Sequence, residues 1–347
     1  MSTSTVPPPA GVDLGRLGAW MDEQGLRPGP IEGVEPLSGG TQNILLRFTR
    51  GGERYVLRHP PVHKRANSDE TMRREARVLA ALDGSDVPHP RLIAACPDPA
   101  VLGSAFYLME PVIGANPTVA LPEAYDDPGW RLELGLALAD SAAAIGAVDH
   151  VAAGLVDLGR PEGFLERQVT RWASQLASYS ELDGYPGPDI PGVEDVGQWL
   201  DANRPTRWEP GLLHGDYHLA NVLCRLDRPG VAAVVDWELT TIGDPLLDLG
   251  WLLATWPDDG DASVPLAGQS WAGLPDRRQL VARYAERSRR DLSAITWYEV
   301  LACYKLGIIL EGTHARAHAG LAPKETGDRL HVTTLGLFRR AHALMST

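Results

Sequence analysis

The sequence has little that would mark a secreted, disulfide-bonded or zinc-stapled protein. It contains three cysteines in 347 residues, Cys96, Cys224 and Cys303, which lie far apart and form no CxxC pair or Cys/His cluster. This spacing indicates neither a disulfide framework nor a cysteine-ligated zinc site. The first residues lack the basic and apolar regions of a signal peptide, so we expect a cytoplasmic protein with reduced thiols.

Long uncharged apolar runs and an excess of positive charge are also missing. The most apolar stretch, residues 132–148, is interrupted by Glu133 and Asp140 and is too short to cross a bilayer. The formal net charge is −13. Nucleic acids and anionic membranes attract clustered Lys and Arg, so neither is expected as a partner.

The first third of the chain has the pattern of a small β-rich unit. Residues 1–29 combine a Pro-rich tip with a short amphipathic helix. Residues 30–112 follow with alternating apolar strands, a two-residue hairpin signal at Gly51-Gly52 and one helix over 68–83. We expect this second segment to form a small lobe of β strands and one helix.

The remainder, residues 113–347, carries the apolar periodicity of helices, interrupted by one β-rich island at 211–237. The predicted helices span 130–148, 164–180, 195–203, 276–290, 296–318 and 325–345. Because 347 residues exceed what one core usually absorbs, two lobes are expected. The sequence therefore predicts an α+β fold with a small β-rich N-lobe and a larger, mostly helical C-lobe.

One short region has polar residues at a spacing that suits phosphoryl transfer. Asp216 precedes Asn221 by five residues, and Asp236 follows an apolar strand. The reaction needs a carboxylate that orients or deprotonates the attacking hydroxyl, and magnesium held by hard oxygen ligands. Asp216 suits the first role. Asn221 and Asp236 suit the second if the strands at 222–225 and 231–235 pair as a hairpin.

Three motifs in this region resemble a known family. HGDYHLAN at 214–221, VVDWE at 234–238 and GDPLLDLG at 243–250 are similar to the catalytic and metal-binding segments of aminoglycoside phosphotransferases and choline kinases, which are relatives of protein kinases. The resemblance covers roughly residues 30–345 and extends to the kinase-like domain joined to some acyl-CoA dehydrogenases. It implies a protein-kinase-like fold and a Mg²⁺-dependent kinase that moves the γ-phosphoryl group of ATP, or of GTP, to a hydroxyl of a small molecule.

The resemblance also implies a nucleotide site in the N-lobe. Arg58 stands where the family usually has a strand lysine, and Glu75 on the following helix is the matching acid. Arginine keeps the charge, but its planar fork differs from an ammonium group, which leaves nucleotide affinity open. The other implied nucleotide-binding residues belong to a glycine-rich loop or to the segment between the lobes: Ser38, Gly39, Gly40, Thr41, Asn43, Glu110 and Val112.

Further residues have supporting or substrate-contact roles by the same resemblance. His214 is expected to brace the catalytic loop by hydrogen bonds. Asp244 and Asp248 are expected to hold the catalytic and metal loops through backbone N–H groups. Helices of the larger lobe line the acceptor site in this fold, and the candidates for substrate contact are Glu238, Tyr304 and Glu311.

The sequence leaves two other functions open. A non-catalytic relative that senses a nucleotide or metabolite is favoured by Arg58 and opposed by the intact Asp216, Asn221 and Asp236. A protein kinase is disfavoured, because little room for a peptide-docking segment separates Asp236 from GDPLLDLG. The acceptor is also open: an aminoglycoside, choline, homoserine, a sugar, a macrolide and a hydroxyacyl thioester all fit. Oligomeric state is not indicated.

Overall fold

The computed structural model describes residues 12–37, 43–61, 64, 66–257 and 271–346. Four of the predicted nucleotide-binding residues, Ser38, Gly39, Gly40 and Thr41, lie outside these ranges.

An antiparallel five-stranded sheet forms the N-lobe, with strand order β1-β2-β3-β5-β4. Its strands are β1 (Ile31–Pro36), β2 (Ile44–Arg50), β3 (Glu53–His59), β4 (Leu92–Cys96) and β5 (Phe106–Met109). The β2–β3 turn is the predicted two-residue hairpin. Arg50 pairs with Glu53, and Gly51 and Gly52 both have positive φ angles, 57° and 80°. Glycine adopts such angles without steric cost, which is why this dipeptide fixes the register.

Two helices pack on this sheet. Helix α1 (Leu14–Glu23) buries Leu17, Trp20 and Met21, and the Trp20 ring meets Phe106 edge-on at 4.8 Å between centroids. The helix expected in the separate segment 1–29 therefore shares the core of the N-lobe sheet. Helix α2 (Ser68–Leu82) matches its prediction closely and buries Glu75 among apolar neighbours.

The C-lobe is mostly helical, as predicted. Its helices are α3 (Pro128–Ala147), α4 (Glu166–Ser178), α5 (Val193–Ala202), α6 (Leu246–Thr255), α7 (Arg277–Arg287), α8 (Ile295–His318) and α9 (Lys324–Met345). Four short strands form two antiparallel pairs, β6–β9 and β7–β8: β6 (Gly211–Leu213), β7 (Val222–Cys224), β8 (Val231–Val234) and β9 (Thr241–Gly243). The α+β class and the β-rich and helical parts are confirmed. The domain boundaries at 29/30 and 112/113 stay predictions.

Helix α8 is the central element of the C-lobe and packs against α4, α5, α6 and α9. Its contact with α6 depends on Gly250, because a Cβ atom there would stand 2.6 Å from the carbonyl oxygen of Tyr298. Such a distance is shorter than any van der Waals contact and involves backbone that a rotamer change cannot move. In the part of the chain that the structure describes, every helix is too short or too polar to cross a membrane. The cytoplasmic location stays a prediction.

Replacing Gly250 by alanine should lower the free energy of unfolding by about 1–3 kcal/mol, because α6 and α8 must separate. A matched control is Gly18→Ala on α1, where a Cβ atom would meet only Ile31 Cδ1 at 4.0 Å. That substitution should be neutral or stabilise by up to about 1 kcal/mol through helix propensity. Urea unfolding of both variants measures the difference. Equal free energies of unfolding for Gly250→Ala and Gly18→Ala would contradict the close α6–α8 contact.

Candidate active site

The β7–β8 hairpin brings the two predicted metal ligands to adjoining positions. Val222 pairs with Val234, and the Val235 N–H donates to the carbonyl oxygen of Asn221 at 2.9 Å. Asn221 therefore lies opposite Val235, the residue before Asp236. The predicted hairpin is present. Asn221 precedes its first strand and Asp236 follows its second, so both predicted ligands lie at the open end of the hairpin.

The side chain of Asn221 is held by the predicted catalytic residue. Asn221 Nδ2 donates to the backbone oxygen of Asp216 at 2.9 Å and to Asp216 Oδ2 at 3.0 Å. Both bonds use the amide nitrogen, so the amide oxygen Oδ1 is left as an acceptor. The two residues thus form one rigid unit across the five-residue loop.

His214 braces this unit against the metal loop, as expected. It is fully buried, its Nδ1 accepts from the Asp216 N–H at 3.3 Å, and its Nε2 donates to the Val235 oxygen at 3.0 Å. Burial lowers the pKa of His214 to about 4. The ring is therefore neutral at pH 7, and its two nitrogens serve as one acceptor and one donor that tie the loops together.

His218 sets the charge state of Asp216. Its Nδ1 accepts from the Ala220 N–H at 3.1 Å, so its proton sits on Nε2, 3.3 Å from Asp216 Oδ1. Burial acts to raise the pKa of Asp216, but the hydrogen bond from His218 and the positive charge of Lys305 act in the opposite direction, and the pKa lies well below its usual range. Asp216 is an anion at neutral pH.

Asp248, in helix α6, holds the backbone of the catalytic loop by hydrogen bonds. This carboxylate is 2% exposed and accepts from the N–H groups of His214 at 2.6 Å and Gly215 at 2.9 Å. Asp244 has a different role from the one expected. It accepts from the Leu246 N–H at 3.0 Å and from the Tyr298 hydroxyl, so it fixes the start of α6 to α8 and leaves both functional loops to Asp248 and His214.

Lys305, on α8, is a site residue that the sequence analysis missed. Its Nζ donates to the Gly215 oxygen at 3.0 Å and lies 4.2 Å from the centroid of the Trp251 ring. Burial lowers its pKa to about 8, although Asp216 and Asp248 favour the charged form. The sequence does contain one indication of a special role: Lys305 is the only charged residue between Glu299 and Glu311, in an otherwise apolar stretch of the helix.

Arg58 links the N-lobe to the metal loop. Its Nε and Nη2 donate to the two oxygens of Glu75 at 2.9 and 2.7 Å, and Nη2 also donates to Asp236 Oδ1 at 2.8 Å. Burial raises the pKa of Glu75, and the Arg58 guanidinium opposes this rise. The predicted Arg58–Glu75 pair is therefore formed, and the planar fork also reaches a predicted metal ligand in the other lobe.

Asp236 has an unusual backbone conformation. Among the described residues it is the only non-glycine with a positive φ, at φ 68° and ψ 63°. Aspartate tolerates this region better than most residues, yet it costs of order 1–3 kcal/mol and persists where the surroundings impose it. The preceding bond from Val235 and the Arg58 contact supply that constraint, and the carboxylate stays 41% exposed.

The donor set fits a hard divalent cation. Asn221 Oδ1 and the Asp236 carboxylate are oxygen donors on adjoining loops, and Mg²⁺ prefers one or two such ligands together with waters and substrate phosphates.

The sequence profile described as "Phosphotransferase enzyme family" matches residues 33–283, which is well over half of the chain. The chain belongs to the phosphotransferase enzyme family.

Individual relatives agree with this assignment. Acyl-CoA dehydrogenase family member 11 of Gallus gallus is 30% identical over 314 residues, which are 86% of this chain and 39% of that protein. The chain thus spans about two fifths of the length of this relative. A putative aminoglycoside phosphotransferase from Ralstonia eutropha JMP134 is 29% identical with a TM-score of 0.78, covering 96% of this chain and 99% of that one.

A further structure supports the fold alone. The GDP complex of aminoglycoside 2'-phosphotransferase-IIIa is 18% identical with a TM-score of 0.60, covering 88% of this chain and 93% of that one. The protein-kinase-like fold predicted from the three motifs is confirmed by these structural neighbours.

The remaining predicted nucleotide residues of this phosphotransferase lie at the start of β2 and in the connection between the lobes. Asn43 immediately precedes β2 and is partly buried. The Glu110 N–H donates to the Arg91 oxygen at 2.9 Å, and its carboxylate pairs with the Arg91 side chain at the surface. Val112 is partly buried just beyond β5. Glu238 follows in the turn after Asp236, where its charge acts on Glu75.

Two substrate-contact candidates are not brought to the catalytic loop. Tyr304 is 3% exposed and packs against Phe338 of α9 at 5.8 Å between ring centroids. Glu311 accepts from the Tyr185 hydroxyl and from His331 Nδ1, both at 2.7 Å. These two positions of α8 face neighbouring helices, and their role in substrate contact stays a prediction. Lys305 is the residue through which α8 reaches the loop.

The lowered pKa of Lys305 predicts a pH-dependent stability. Lysine in the unfolded chain titrates near ~10.4, so above about pH 8 the unfolded state binds more protons and the folded state gains relative stability as pH rises. Between about pH 8 and pH 10, wild type should gain of order 1–3 kcal/mol over Lys305→Met.

Chemical denaturation at several pH values measures this gain. Lys324→Met on α9 is the control, because that side chain is 80% exposed. The free energy of unfolding of wild type and of Lys324→Met should change with pH in the same way. Parallel pH profiles for wild type and Lys305→Met would contradict a buried, charged Lys305.

Proposed function

We propose that this phosphotransferase moves the γ-phosphoryl group of ATP, or of GTP, to a hydroxyl of a small molecule. Asp216 is the proposed catalytic residue, and Asn221 and Asp236 are the proposed Mg²⁺ ligands. The observation that carries the proposal is the 2.9 Å hydrogen bond from the Val235 N–H to the backbone oxygen of Asn221. It holds three oxygen-bearing side chains on adjoining loops, as phosphoryl transfer requires.

The catalytic loop supplies the acceptor side of the reaction. Asp216 is anionic and accepts a hydrogen bond from the incoming hydroxyl, which aims that oxygen at the phosphorus. His218 and Asn221 hold the two carboxylate oxygens at 3.3 and 3.0 Å and keep them from rotating. Lys305 fixes the Gly215 carbonyl beside Asp216 and adds positive charge near the site.

The donor side is proposed to lie between the lobes. Arg58 is oriented by Glu75 and carries a positive charge that can contact phosphate oxygens. Magnesium, when bound, would neutralise the charge that builds on the transferring group. The proposed nucleotide contacts also include the loop residues and the segment between the lobes: Ser38, Gly39, Gly40, Thr41, Asn43, Glu110 and Val112. The bound GDP in a structural neighbour supports testing guanine as well as adenine nucleotides.

The relatives support two acceptor classes. The match to acyl-CoA dehydrogenase family member 11 supports a hydroxyacyl thioester, because acyl-CoA is itself an acyl thioester. The neighbour described as a putative aminoglycoside phosphotransferase supports an aminoglycoside-like acceptor. Glu238, in the turn after Asp236, is the proposed residue for a cationic acceptor of that second kind.

A nucleotide sensor is the second candidate, and one observation favours it. Arg58 Nη2 binds Asp236 Oδ1 at 2.8 Å and so engages an oxygen that a metal would use. A sensor would bind nucleotide without transferring phosphate. The two candidate functions therefore differ in whether a phosphorylated product is formed.

Asp216→Asn should lower the rate of phosphoryl transfer by about 10²–10⁴-fold while nucleotide binding persists, because the carboxylate acts on the acceptor hydroxyl. The assay incubates the protein with Mg²⁺, ATP or GTP, and a panel of hydroxyacyl thioesters and aminoglycosides, and detects phosphorylated product by mass spectrometry. Asp227→Asn is the control, because Asp227 is a 66% exposed carboxylate in the turn of the same hairpin. It should retain wild-type activity.

Two outcomes would oppose this assignment. Nucleotide binding with no phosphorylated product from any acceptor would favour the sensor. Equal rates for wild type and Asp216→Asn would remove Asp216 from the mechanism.

Asp236→Asn should raise the Mg²⁺ concentration needed for half-maximal nucleotide binding by about 10-fold or more, since one charged oxygen ligand is replaced by a neutral amide. Fluorescent nucleotide titrations at several Mg²⁺ concentrations measure the change. In Asp227→Asn the Mg²⁺ requirement should match that of wild type. An unchanged requirement in Asp236→Asn would exclude Asp236 as a metal ligand.

A further inference from the structure

A group of metal-ligating side chains lies between α8 and α9, apart from the catalytic loop. Glu311 and His314 stand three residues apart on α8, and His331 comes from α9. One ligand atom from each residue lies within 4.8 Å of the others. Residues three apart share a helix face, so this spacing presents a carboxylate and an imidazole side by side. We call these three residues the α8–α9 trio.

Close packing of the two helices brings the trio together. Gly327 on α9 lies so near α8 that a Cβ atom there would stand 2.5 Å from Ala317 Cβ and 3.2 Å from His314 Cα. About two turns further along α9, the Thr334 hydroxyl donates to the Gly307 oxygen at 3.0 Å. These two contacts fix the register of α9 on α8 and place His331 beside Glu311.

Glu311 is a deeply buried acid with oriented oxygens. Its side chain is 0% exposed, and its two oxygens accept from the Tyr185 hydroxyl and from His331 Nδ1, both at 2.7 Å. A buried carboxylate is costly unless its charge is compensated. The Tyr185 bond is the kind of outer contact that orients metal-ligating carboxylates.

His314 adds a nitrogen that nothing satisfies. His314 Nδ1 is buried and makes no hydrogen bond, and the nearest carboxylate oxygen, on Asp328, is 3.7 Å away. Buried polar nitrogens without a partner are rare in folded proteins and call for a specific explanation. Burial also lowers the pKa of His314, so the ring is neutral and has a lone pair available for coordination.

The trio can be reached from solvent. His318, one turn further along α8, is exposed, and its ring lies 4.7 Å from the His314 ring at 87°. The His331 ring stacks on the His314 ring at 4.5 Å between centroids. An imidazole or water from the solvent side can therefore complete a coordination sphere.

We propose that Glu311, His314 and His331 bind one divalent transition-metal cation of the zinc type, which ties α8 to α9. Two imidazoles and one carboxylate form a three-residue set that Zn²⁺ uses, with a fourth position for water or another side chain. Mg²⁺ prefers oxygen ligands alone and is a poor match for two imidazoles. The site would thus be chemically distinct from the proposed Mg²⁺ ligands Asn221 and Asp236.

The test is a metal titration of the full-length protein after treatment with a chelator, without nucleotide. Co²⁺ should bind with visible d–d absorption at one equivalent, Zn²⁺ should displace it, and Zn²⁺ should raise the melting temperature. The variant His314→Gln/His331→Gln should bind at least about 100-fold more weakly, since loss of outer contacts alone costs about 10–100-fold. Circular dichroism checks that it is folded.

Two controls separate this site from others. His150→Gln removes a histidine in the turn after α3 and should bind Co²⁺ like wild type. His218→Gln removes the histidine of the catalytic loop and should also leave the Co²⁺ spectrum unchanged. No Co²⁺ absorption in wild type, or equal binding by the double variant, would overturn the proposal. A spectrum lost in His218→Gln would instead place the ion at the catalytic loop, which also overturns it.

Discussion

The candidate active site depends on the hydrogen bond between the Val235 N–H and the Asn221 oxygen. This bond sets the separation of two loops that the chain would otherwise leave independent. Asp216 is tied to Asn221 by two bonds, and His214 is tied to Val235, so the position of each functional oxygen follows from one backbone contact. Preorganised groups of this kind need little rearrangement as charge develops, which is how phosphoryl-transfer sites stabilise their transition state.

Arg58 adds a constraint between the lobes. The guanidinium is 7% exposed and bonds Glu75 on α2 and Asp236 in the C-lobe at the same time. A buried cation is tolerated only when its partners are well aligned, and here two carboxylates satisfy it. A lysine has a more compact charge and no fork, so the arginine holds the metal loop against the N-lobe in a way that the usual residue would not reproduce.

The sequence predicted the fold and the hairpin that joins Asn221 to the Asp236 segment because both depend on residues that are local in the chain, and the catalytic and metal-binding roles stay predictions. Gly51-Gly52, the hairpin after Asn221 and the helices with clear periodicity each depend on nearby residues. Contacts between distant segments were not accessible. Lys305 lies 90 positions from Gly215, and Tyr304 and Glu311 share its helix but face elsewhere, because a rotation of 100° per residue separates their directions. The link from Arg58 to Asp236 spans 178 positions and had no sequence signal.

Helix α8 connects the catalytic loop to the contact with α9 through one continuous helix. Lys305 touches the catalytic loop, and Glu311 lies six residues further along the same rigid helix, a rise of about 9 Å. A shift of α8 along its axis moves both ends together, because the backbone bonds of a helix resist compression. A ligand at the α9 end that shifted α8 would therefore also shift the Gly215 carbonyl, and a molecule beside Asp216 that favoured the same shift would favour the ligand by the same free energy.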